Sequence, residues 1–106
     1  KDMTRTITAE AFKDIDSNTI VLDIRREDDY TTSSDTIPGA IWKDPSKTEE
    51  WISSIDTDKS VVIYCVRGGG VSNSVLDSMY AAGINAQFIE GGIEGLKEAG
   101  GVVEAK

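Results

Sequence analysis

The sequence predicts an α/β fold, with a parallel sheet covered by helices on both faces. Runs of β-branched and apolar residues alternate along the chain with segments of helical periodicity, and this alternation is typical of right-handed βαβ units. The chain has 106 residues, of which 39% are hydrophobic and 28% charged. This is the size and composition of one globular domain. No repeat or linker-like stretch divides the sequence, so we expect a single domain over residues 1–106.

The N-terminal third contains two predicted strands and one helix. Thr6-Ile7 is predicted to form a short edge strand. Thr8 has the side chain of a helix N-cap for a short helix over residues 9–14, and Glu10 supplies a favourable negative charge in its first turn. Residues 20–24, Ile-Val-Leu-Asp-Ile, are nearly all apolar and β-branched, as in a strand that is covered on both faces.

The next segment is polar and rich in turn residues. A polar turn or short helix ends near Tyr30, and residues 31–36 form a Ser/Thr/Asp loop. Pro38 and Gly39 then mark a turn before a short strand over residues 40–42.

A second helix is predicted after this strand. Ser46 and Glu49 have the spacing of a capping box, which predicts that Ser46 is the N-cap. Trp51, Ile52 and Ile55 share one face of the helix, which ends near Ile55.

The C-terminal half repeats the alternation of strand and helix. Residues 60–65 read as a strongly buried strand near the centre of the sheet. A helix of about three turns follows and ends at Gly83. Its core-facing residues are predicted to be Val71, Val75, Met79 and Ala82. Residues 86–89 form a third buried strand, and residues 93–99 form the last helix.

Composition excludes several classes of function. The 11 basic and 19 acidic side chains give a formal net charge of −8, which repels phosphate backbones and anionic membrane surfaces. We therefore expect no nucleic-acid partner and no membrane association. The chain has no histidine and one cysteine, which excludes Cys–His and Ser–His catalysis, zinc sites of Cys and His, and an intrachain disulfide. We expect no metal and no other cofactor.

Targeting signals are also missing from the sequence. The longest apolar run, residues 61–66, is far shorter than the roughly 18 residues that span a bilayer. Lys1 to Arg5 contain no apolar signal core. We expect a soluble protein, either cytoplasmic or periplasmic, and the sequence leaves the compartment open.

One segment carries the candidate chemistry. A buried strand ends at the only cysteine, a glycine run follows it, and a helix then begins. Glycine-rich turns before a helix form nests of N–H groups that bind anions, and the same field favours a nucleophilic thiolate. We predict that Cys65 is the nucleophile and that Arg67 adds a cation. The predicted substrate-binding residues are Val66, Arg67, Gly68, Gly69, Gly70 and Val71.

The residues alone leave the reaction open. A cysteine at a strand end is often a small buried hydrophobic residue, and a glycine run is often only a turn. If the segment is functional, sulfur transfer, thiol redox chemistry and phosphoryl transfer are all compatible with a thiolate in an anion-binding loop.

Four motifs occur in order along nearly the whole chain. They are Asp23-Ile24-Arg25, the turn Asp-Thr-Ile-Pro-Gly-Ala at residues 35–40, the strand and glycine loop at residues 61–70, and Glu90-Gly91-Gly92. Together they resemble the motifs of single-domain rhodaneses, a family of sulfurtransferases. The resemblance implies a three-layer fold with a central, mainly parallel sheet of about five strands.

The resemblance also implies a ping-pong reaction. Cys65 would take the outer sulfur of a small anionic donor such as thiosulfate as a persulfide. It would pass this sulfur to cyanide or to a thiol, including a protein thiol. The N–H groups of residues 66–71 would hold the persulfide and the donor, and Arg67 would bind the donor. Two alternatives stay open: phosphatase or arsenate-reductase chemistry on the same thiol, and a non-enzymatic sulfur carrier or interaction module.

The sequence departs from the family pattern at three places. Thr36 stands where many members have His, and Leu96 stands where an aromatic residue is common, and we interpret both as structural. The loop lacks the usual Arg-Ser ending. It has seven residues if Ser72 is the helix N-cap, or six if Val71 begins the helix. Phosphatase relatives use a seven-residue loop that ends in Arg, and here that position is Val71.

Other side chains near the predicted site have simpler interpretations. Asp23 and Arg25 follow a strand and lie where they could line the site, but we favour an ion pair or loop hydrogen bond that fixes Arg25. The acidic residues 27–29 lack the spacing of a calcium loop, so a solvated turn is the better interpretation. Trp42 and Trp51 are expected in core or rim packing, and either is a candidate for the rim of an acceptor entrance.

Overall fold

The structure, a computed structural model, describes residues 5–67 and 70–105. Its strands are β1 (Thr6–Ile7), β2 (Ile20–Asp23), β3 (Asp35–Thr36), β4 (Ile41–Trp42), β5 (Ser60–Tyr64), β6 (Asn85–Ile89) and β7 (Glu104–Ala105). Five of them form a parallel sheet in the order β1-β6-β5-β2-β4. The predicted parallel sheet is therefore confirmed, with β5 at its centre.

Helices cover both faces of this sheet. They are α1 (Ala9–Phe12), α2 (Glu27–Thr32), α3 (Thr48–Trp51), α4 (Gly70–Ala81) and α5 (Gly92–Glu98), with two 3₁₀ helices at Pro45–Lys47 and Ile52–Ser54. One hydrophobic core contains side chains of α3 and α4, and the other contains side chains of α1 and α5. The three-layer arrangement is thus confirmed. Among the described residues, no helix combines the length and apolar character that crossing a membrane requires.

The central strand β5 contributes to both cores. Val61 and Ile63 pack on the side of α4, whereas Val62 and Tyr64 pack on the side of α1 and α5. Side chains of a strand point alternately to opposite faces, so an unbroken apolar run is what a strand with two covered faces needs. The apolar run at residues 61–64 therefore predicted this strand correctly.

The register of β2 and β5 brings their carboxyl ends level. Asp23 pairs with Tyr64 across the two strands, and the next residue after Tyr64 is Cys65. In open parallel sheets, binding sites form where the strands end. The register therefore places the Asp23–Arg25 motif beside the candidate nucleophile.

A second, two-stranded sheet was not predicted. β3 pairs antiparallel with β7, with Asp35 opposite Ala105 and Thr36 opposite Glu104. The loop predicted over residues 31–36 therefore ends in a strand. Strands of two residues have no periodicity of their own, and this pair joins segments that are far apart in the sequence.

The predicted capping box at Ser46 is wrong. Asp44 is the N-cap of the first 3₁₀ helix: its carboxylate accepts from the backbone N–H of Ser46 at 2.9 Å and from the Ser46 hydroxyl at 2.7 Å. Pro45 occupies the first position of that helix, where a missing N–H costs nothing. The predicted helix is also divided into a 3₁₀ turn, α3 and a second 3₁₀ turn.

Other local predictions hold with shifted ends. The Thr8 hydroxyl accepts from the N–H of Ala11 as an N-cap, although α1 ends at Phe12. Gly83, with φ of +80°, follows the end of α4 as expected. The buried stripe of α4 includes Val75 and Met79, but Ala82 lies after the end of the helix and is exposed.

Candidate active site

Cys65 lies at the carboxyl edge of the central sheet. It follows β5 directly, and its side chain is half-buried. Val66 is half-buried and Arg67 is exposed. Gly68 and Gly69 lie outside the described residues, so the substrate-binding role that the sequence suggests for them stays a prediction.

The helix after Cys65 begins at Gly70. This corrects both alternatives for the loop, which placed the helix start at Val71 or made Ser72 the N-cap. Val71 and Ser72 are thus residues of the first turn.

Ser72 contacts the thiol directly. Its hydroxyl donates a hydrogen bond to Cys65 Sγ at 3.2 Å, and its side chain is 0% exposed. The hydroxyl is thus placed to donate to the sulfur when negative charge is on it. Ser72 therefore belongs to the site and is not a cap.

The Glu-Gly-Gly motif holds the start of the loop through the backbone. The N–H of Ile93 donates to the carbonyl of Cys65 at 3.0 Å, and the N–H of Glu94 donates to that of Val66 at 3.1 Å. Gly92 has φ of +62°, and a Cβ at this position would overlap both carbonyl oxygens. Because trans peptide groups point N–H and C=O in opposite directions, the N–H groups of Val66 and Arg67 are directed away from α5.

The thiol opens into a pocket of about 220 Å³, which we call the thiol pocket. Its lining residues are Arg25, Arg26, Asp29, Cys65, Val66, Arg67, Gly70 and Val71. The fold thereby brings together the described members of the predicted loop and adds residues that follow β2. A volume of this size is below the range of about 300–1,000 Å³ typical of drug-sized ligands, so the pocket fits a small molecule.

Two guanidinium groups of the thiol pocket are uncommitted. Arg26 and Arg67 are both exposed, and within the described residues neither side chain has a hydrogen bond or an ion pair. Guanidinium groups bind oxyanions through paired N–H donors. The pocket therefore offers an anion two cations that have no other partner in the described chain.

The third arginine is committed to the fold. Arg25 forms a bidentate ion pair with Asp23, with Nε–Oδ1 at 3.0 Å and NH2–Oδ2 at 2.7 Å, and each side chain is 1% exposed. Burial opposes the charge, but the hydrogen bonds and charge of Asp23 outweigh it and raise the pKa of Arg25. Arg25 also donates to the Asp35 carbonyl at 3.0 Å. The ion-pair interpretation is thus confirmed, although Arg25 also lines the pocket.

Tyr64 packs against the guanidinium group of this ion pair, and Thr36 hydrogen-bonds Tyr64. The Tyr64 ring lies 5.6 Å from the Arg25 guanidinium carbon, and its hydroxyl hydrogen-bonds Thr36 at 3.2 Å. Burial raises the pKa of Tyr64 to about 12, so it stays a neutral phenol. Thr36 therefore has the structural role that we expected, and Leu96, a residue of α5 that is buried in the core, does as well.

Both tryptophans pack as expected. Trp42 stacks on Tyr30 with ring centroids 5.1 Å apart and donates to the Arg25 carbonyl at 2.9 Å. Trp51 is buried and donates to the Asp44 carbonyl at 2.8 Å. Neither ring lines the thiol pocket.

The acidic residues after β2 are exposed to solvent. They begin α2 as Glu27, Asp28 and Asp29, all exposed. Across residues 5–67 and 70–105, no group of three or more Cys, Asp or Glu side chains is arranged to hold a metal ion.

Three residues of the site were not predicted from the sequence. Ser72 could have been found, because it precedes Val75 by three residues and so belongs to the buried stripe of α4. Arg26 and Asp29 carry no such signal. Their place in the thiol pocket depends on the path of the chain after β2, which sequence periodicity does not describe.

Comparison with known proteins agrees with this architecture. The sequence matches the family model of the Rhodanese-like domain over residues 8–99. None of the curated proteins matches the chain.

Solved structures show the same fold. A rhodanese-related protein from Thermoplasma volcanium is similar with a TM-score of 0.82 and 25% identity, over 95% of this chain and 98% of that one. A protein of unknown function from Rhodopseudomonas palustris, described as a possible tyrosine phosphatase, has a TM-score of 0.80 and 26% identity, over 94% and 84%. A rhodanese-like domain protein from Staphylococcus aureus shares the fold, with a TM-score of 0.75 and 24% identity, over 88% and 91%.

Proposed function

The chain belongs to the rhodanese-like domain family, and on that premise we propose that it is a sulfurtransferase that carries sulfur as a persulfide on Cys65. The observation that carries the proposal is the half-buried thiol in a small pocket beside the uncommitted guanidinium groups of Arg26 and Arg67. Small oxyanions with a transferable sulfur, such as thiosulfate, have the size and charge that this pocket favours.

In the first half-reaction the Cys65 thiolate attacks the outer sulfur of thiosulfate. A bond forms between the two sulfurs, the sulfur–sulfur bond of thiosulfate breaks, and sulfite leaves with the electron pair. The product is a Cys65 persulfide with one negative charge, so atoms and charge balance. The Ser72 hydroxyl donates to the attacking sulfur, and the guanidinium groups of Arg26 and Arg67 neutralise charge on the donor and on departing sulfite.

In the second half-reaction the outer sulfur passes to an acceptor. Cyanide or a thiolate attacks it, the Cys65 thiolate leaves, and thiocyanate or an acceptor persulfide forms. We propose a small thiol or a protein thiol as the acceptor.

Intact-protein mass spectrometry tests the proposal. Purified protein is incubated with thiosulfate and desalted, and its mass is then measured. We expect one added sulfur, which a thiol reductant removes and which Cys65→Ser never acquires. Absence of the adduct on the native protein would sink the proposal. Thiocyanate formation on adding cyanide then separates an enzyme that turns over from a carrier that only holds sulfur.

Arg67 is proposed to bind the donor. We expect Arg67→Ala to raise the KM for thiosulfate while cyanide discharges a preloaded persulfide at the native rate, since the discharge step no longer contains the donor. Lys59→Ala, which removes a cation at the opposite end of β5, is the control for net charge. An unchanged KM for Arg67→Ala would refute the assignment.

A second candidate, phosphatase chemistry, is kept because of the similarity to the protein described as a possible tyrosine phosphatase. The thiolate of Cys65 would attack phosphorus in place of sulfur. Val71 stands where phosphatases of this fold carry the loop arginine, and its side chain offers no N–H donor to a phosphoryl group. Hydrolysis of an aryl phosphate that depends on Cys65 would favour this candidate over the first.

A further inference from the structure

A second pocket opens beside the thiol pocket, with a volume of about 580 Å³; we call it the side pocket. Its walls are the start of α2, the first 3₁₀ helix and the first turns of α4. Its lining residues are Arg26, Glu27, Asp44, Pro45, Ser46, Gly70, Val71, Ser74 and Val75. Arg26, Gly70 and Val71 line both pockets, so a molecule in the side pocket lies next to the thiol pocket.

The size of the side pocket does not match the sulfur donor. Its volume lies inside the range of about 300–1,000 Å³ of small-molecule sites, whereas the thiol pocket is smaller than that range. In a two-step transfer the donor and the acceptor reach the same sulfur atom one after the other, and they differ in size. The larger compartment therefore suits an acceptor with a body larger than cyanide.

Charges of both signs line the side pocket. Arg26 and Glu27 are exposed, and neither side chain has a hydrogen bond or ion pair among residues 5–67 and 70–105. Asp44, which precedes the first 3₁₀ helix, accepts two hydrogen bonds from Ser46, and these hold the pKa of its carboxyl below the ordinary value. Val71 and Val75 add apolar side chains to the lining of the same pocket. This pattern complements a short molecule that carries a carboxylate and an ammonium group.

We propose that the side pocket binds the sulfur acceptor, and that the acceptor is a small thiol with both a carboxylate and an ammonium group, of the amino-acid or short-peptide type. The inference rests on the proposed sulfurtransferase function. Arg26 pairs with the carboxylate, and Glu27 and Asp44 pair with the ammonium group. The acceptor thiolate attacks the outer sulfur of the Cys65 persulfide, the bond between the persulfide sulfurs breaks, and the acceptor leaves as a persulfide.

Arg26 serves both half-reactions because it lines both pockets. In a ping-pong sequence sulfite leaves before the acceptor binds, so one guanidinium group neutralises the donor first and the acceptor carboxylate afterwards. Arg67 lines only the thiol pocket of these two and acts on the donor.

The test measures single-turnover discharge of preloaded persulfide by four thiols. Cysteine carries both charges, 3-mercaptopropionate only the carboxylate, cysteamine only the ammonium group, and 2-mercaptoethanol neither. For each thiol, the rate measured with the variant is divided by the rate measured with the native protein. This ratio cancels the intrinsic reactivity of the thiol. We expect Glu27→Gln to slow cysteine and cysteamine about two- to fivefold, and Arg26→Gln to slow cysteine and 3-mercaptopropionate by a similar factor.

Matched controls remove the same charges elsewhere. Glu50→Gln and Lys59→Gln, both exposed and away from the two pockets, are expected to change all four rates equally or not at all. If Glu27→Gln and Arg26→Gln also act equally on the four thiols, the side pocket does not select the acceptor and the inference is wrong.

A binding experiment separates this inference from the proposed function. S-methylcysteine, which cannot accept sulfur, is titrated into Cys65→Ser and followed by NMR at the amides of Val71, Ser74 and Val75. We expect saturable shifts that Glu27→Gln weakens about two- to fivefold. If S-methylcysteine shifts these amides but thiosulfate does not load the native protein, the side pocket binds amino acids and the sulfurtransferase proposal is wrong. If thiosulfate loads the protein but the amides do not shift, the sulfurtransferase proposal stands and the inference about the side pocket is wrong.

Discussion

Arg25 and Arg26 are neighbours in the chain and yet have different roles. Arg25 is buried against Asp23 and the Tyr64 ring, so its charge is already compensated. Arg26 is exposed at the start of α2 and lines both pockets. Removing one partner of a buried ion pair costs about 3–5 kcal/mol of stability, so the main role of Arg25 is to stabilise the fold. Arg26 has no such partner among the described residues, so its guanidinium group is available to bind an anion.

Ser72 gives the sharpest prediction for a single residue. Ser72→Ala removes the hydrogen bond to Cys65 Sγ and is expected to slow persulfide formation from thiosulfate about tenfold, since a hydrogen bond to a charged group is worth about 1.5–3 kcal/mol. Because alanine fits the space of serine, the urea midpoint should change little. The loading rate is measured by intact mass after rapid quenching.

The matched control is Ser78→Ala, an exposed serine on the same helix. It makes the same change in composition and helix propensity and should load at the native rate. Equal rates for Ser72→Ala and the native protein would show that the hydroxyl does not assist the thiol.

At the scale of elements, α5 contacts the first two residues of the loop, Cys65 and Val66, at its own first residue, Gly92. Gly92→Ala places a Cβ against the carbonyl oxygens of Cys65 and Val66 at a residue with φ of +62°. A left-handed conformation costs an L-residue about 1–2 kcal/mol, and overpacking adds about 1–3 kcal/mol. We expect a lower urea midpoint together with slower persulfide formation, because the loop must move.

Gly100→Ala isolates the conformational cost. Gly100 has φ of +81°, and a Cβ there would have no atom within 4 Å. It should lose stability through the backbone alone and keep the native loading rate. If the two variants load equally, contact between α5 and the loop is not what shapes the site.

A pH dependence is expected where β3 meets α5. Lys97 Nζ lies 2.6 Å from Asp35 Oδ2, and this hydrogen bond holds the pKa of Asp35 below its ordinary 3.8 and raises the pKa of Lys97 above 10.5. The stability that Asp35 contributes is complete above about pH 4 and is lost as the pH falls through its lower folded-state pKa. The contribution of Lys97 is lost only as the pH rises through its folded-state pKa.

Urea unfolding of the native protein and Asp35→Asn between pH 2 and pH 7 tests this. The difference between their midpoints should be constant from pH 7 to about pH 4 and should shrink below it. Asp58→Asn, an exposed residue with no ion pair among the described residues, is the control. A difference that persists unchanged at pH 2 would contradict the role of the ion pair.

Elements with a local signal were predictable, and those fixed by distant contacts were not. The β-branched runs at residues 20–24 and 61–64 gave β2 and β5, since both lie on the inside of the sheet. The β3–β7 pair joins segments some seventy positions apart in sequence, and no short window contains that contact. The cap at Asp44 was missed because Ser46 and Glu49 have the spacing of a competing cap.

The same distinction holds for the site. Cys65, Arg67 and the first residues of α4 are continuous in sequence, so their proximity followed from the strand–loop–helix pattern. Arg26 comes from a different βα connection, and only the register of β2 against β5 brings it to the thiol pocket.

At the scale of the whole molecule, the net charge of −8 repels an anionic donor, whereas the cations of the thiol pocket attract it. The chain measures about 31 × 30 × 23 Å. At 10 mM salt the Debye length is about 30 Å, so nearly every charge of the protein acts on an approaching anion. At 0.15 M salt the Debye length is about 8 Å, and only the groups nearest to the anion act on it. The guanidinium groups of Arg26 and Arg67 line the pocket itself and are the last charges to be screened.

We therefore expect loading by thiosulfate to become about two- to threefold faster between 10 mM and 150 mM NaCl, because screening removes the long-range repulsion before it removes the contact with Arg26 and Arg67. Second-order rate constants are measured at low donor concentration. Alkylation of Cys65 by iodoacetamide, a neutral reagent, should change little over the same range and controls for salt effects on the thiol. A loading rate that falls steeply with salt would contradict this ordering and would mean that the pocket arginines already dominate the field at long range.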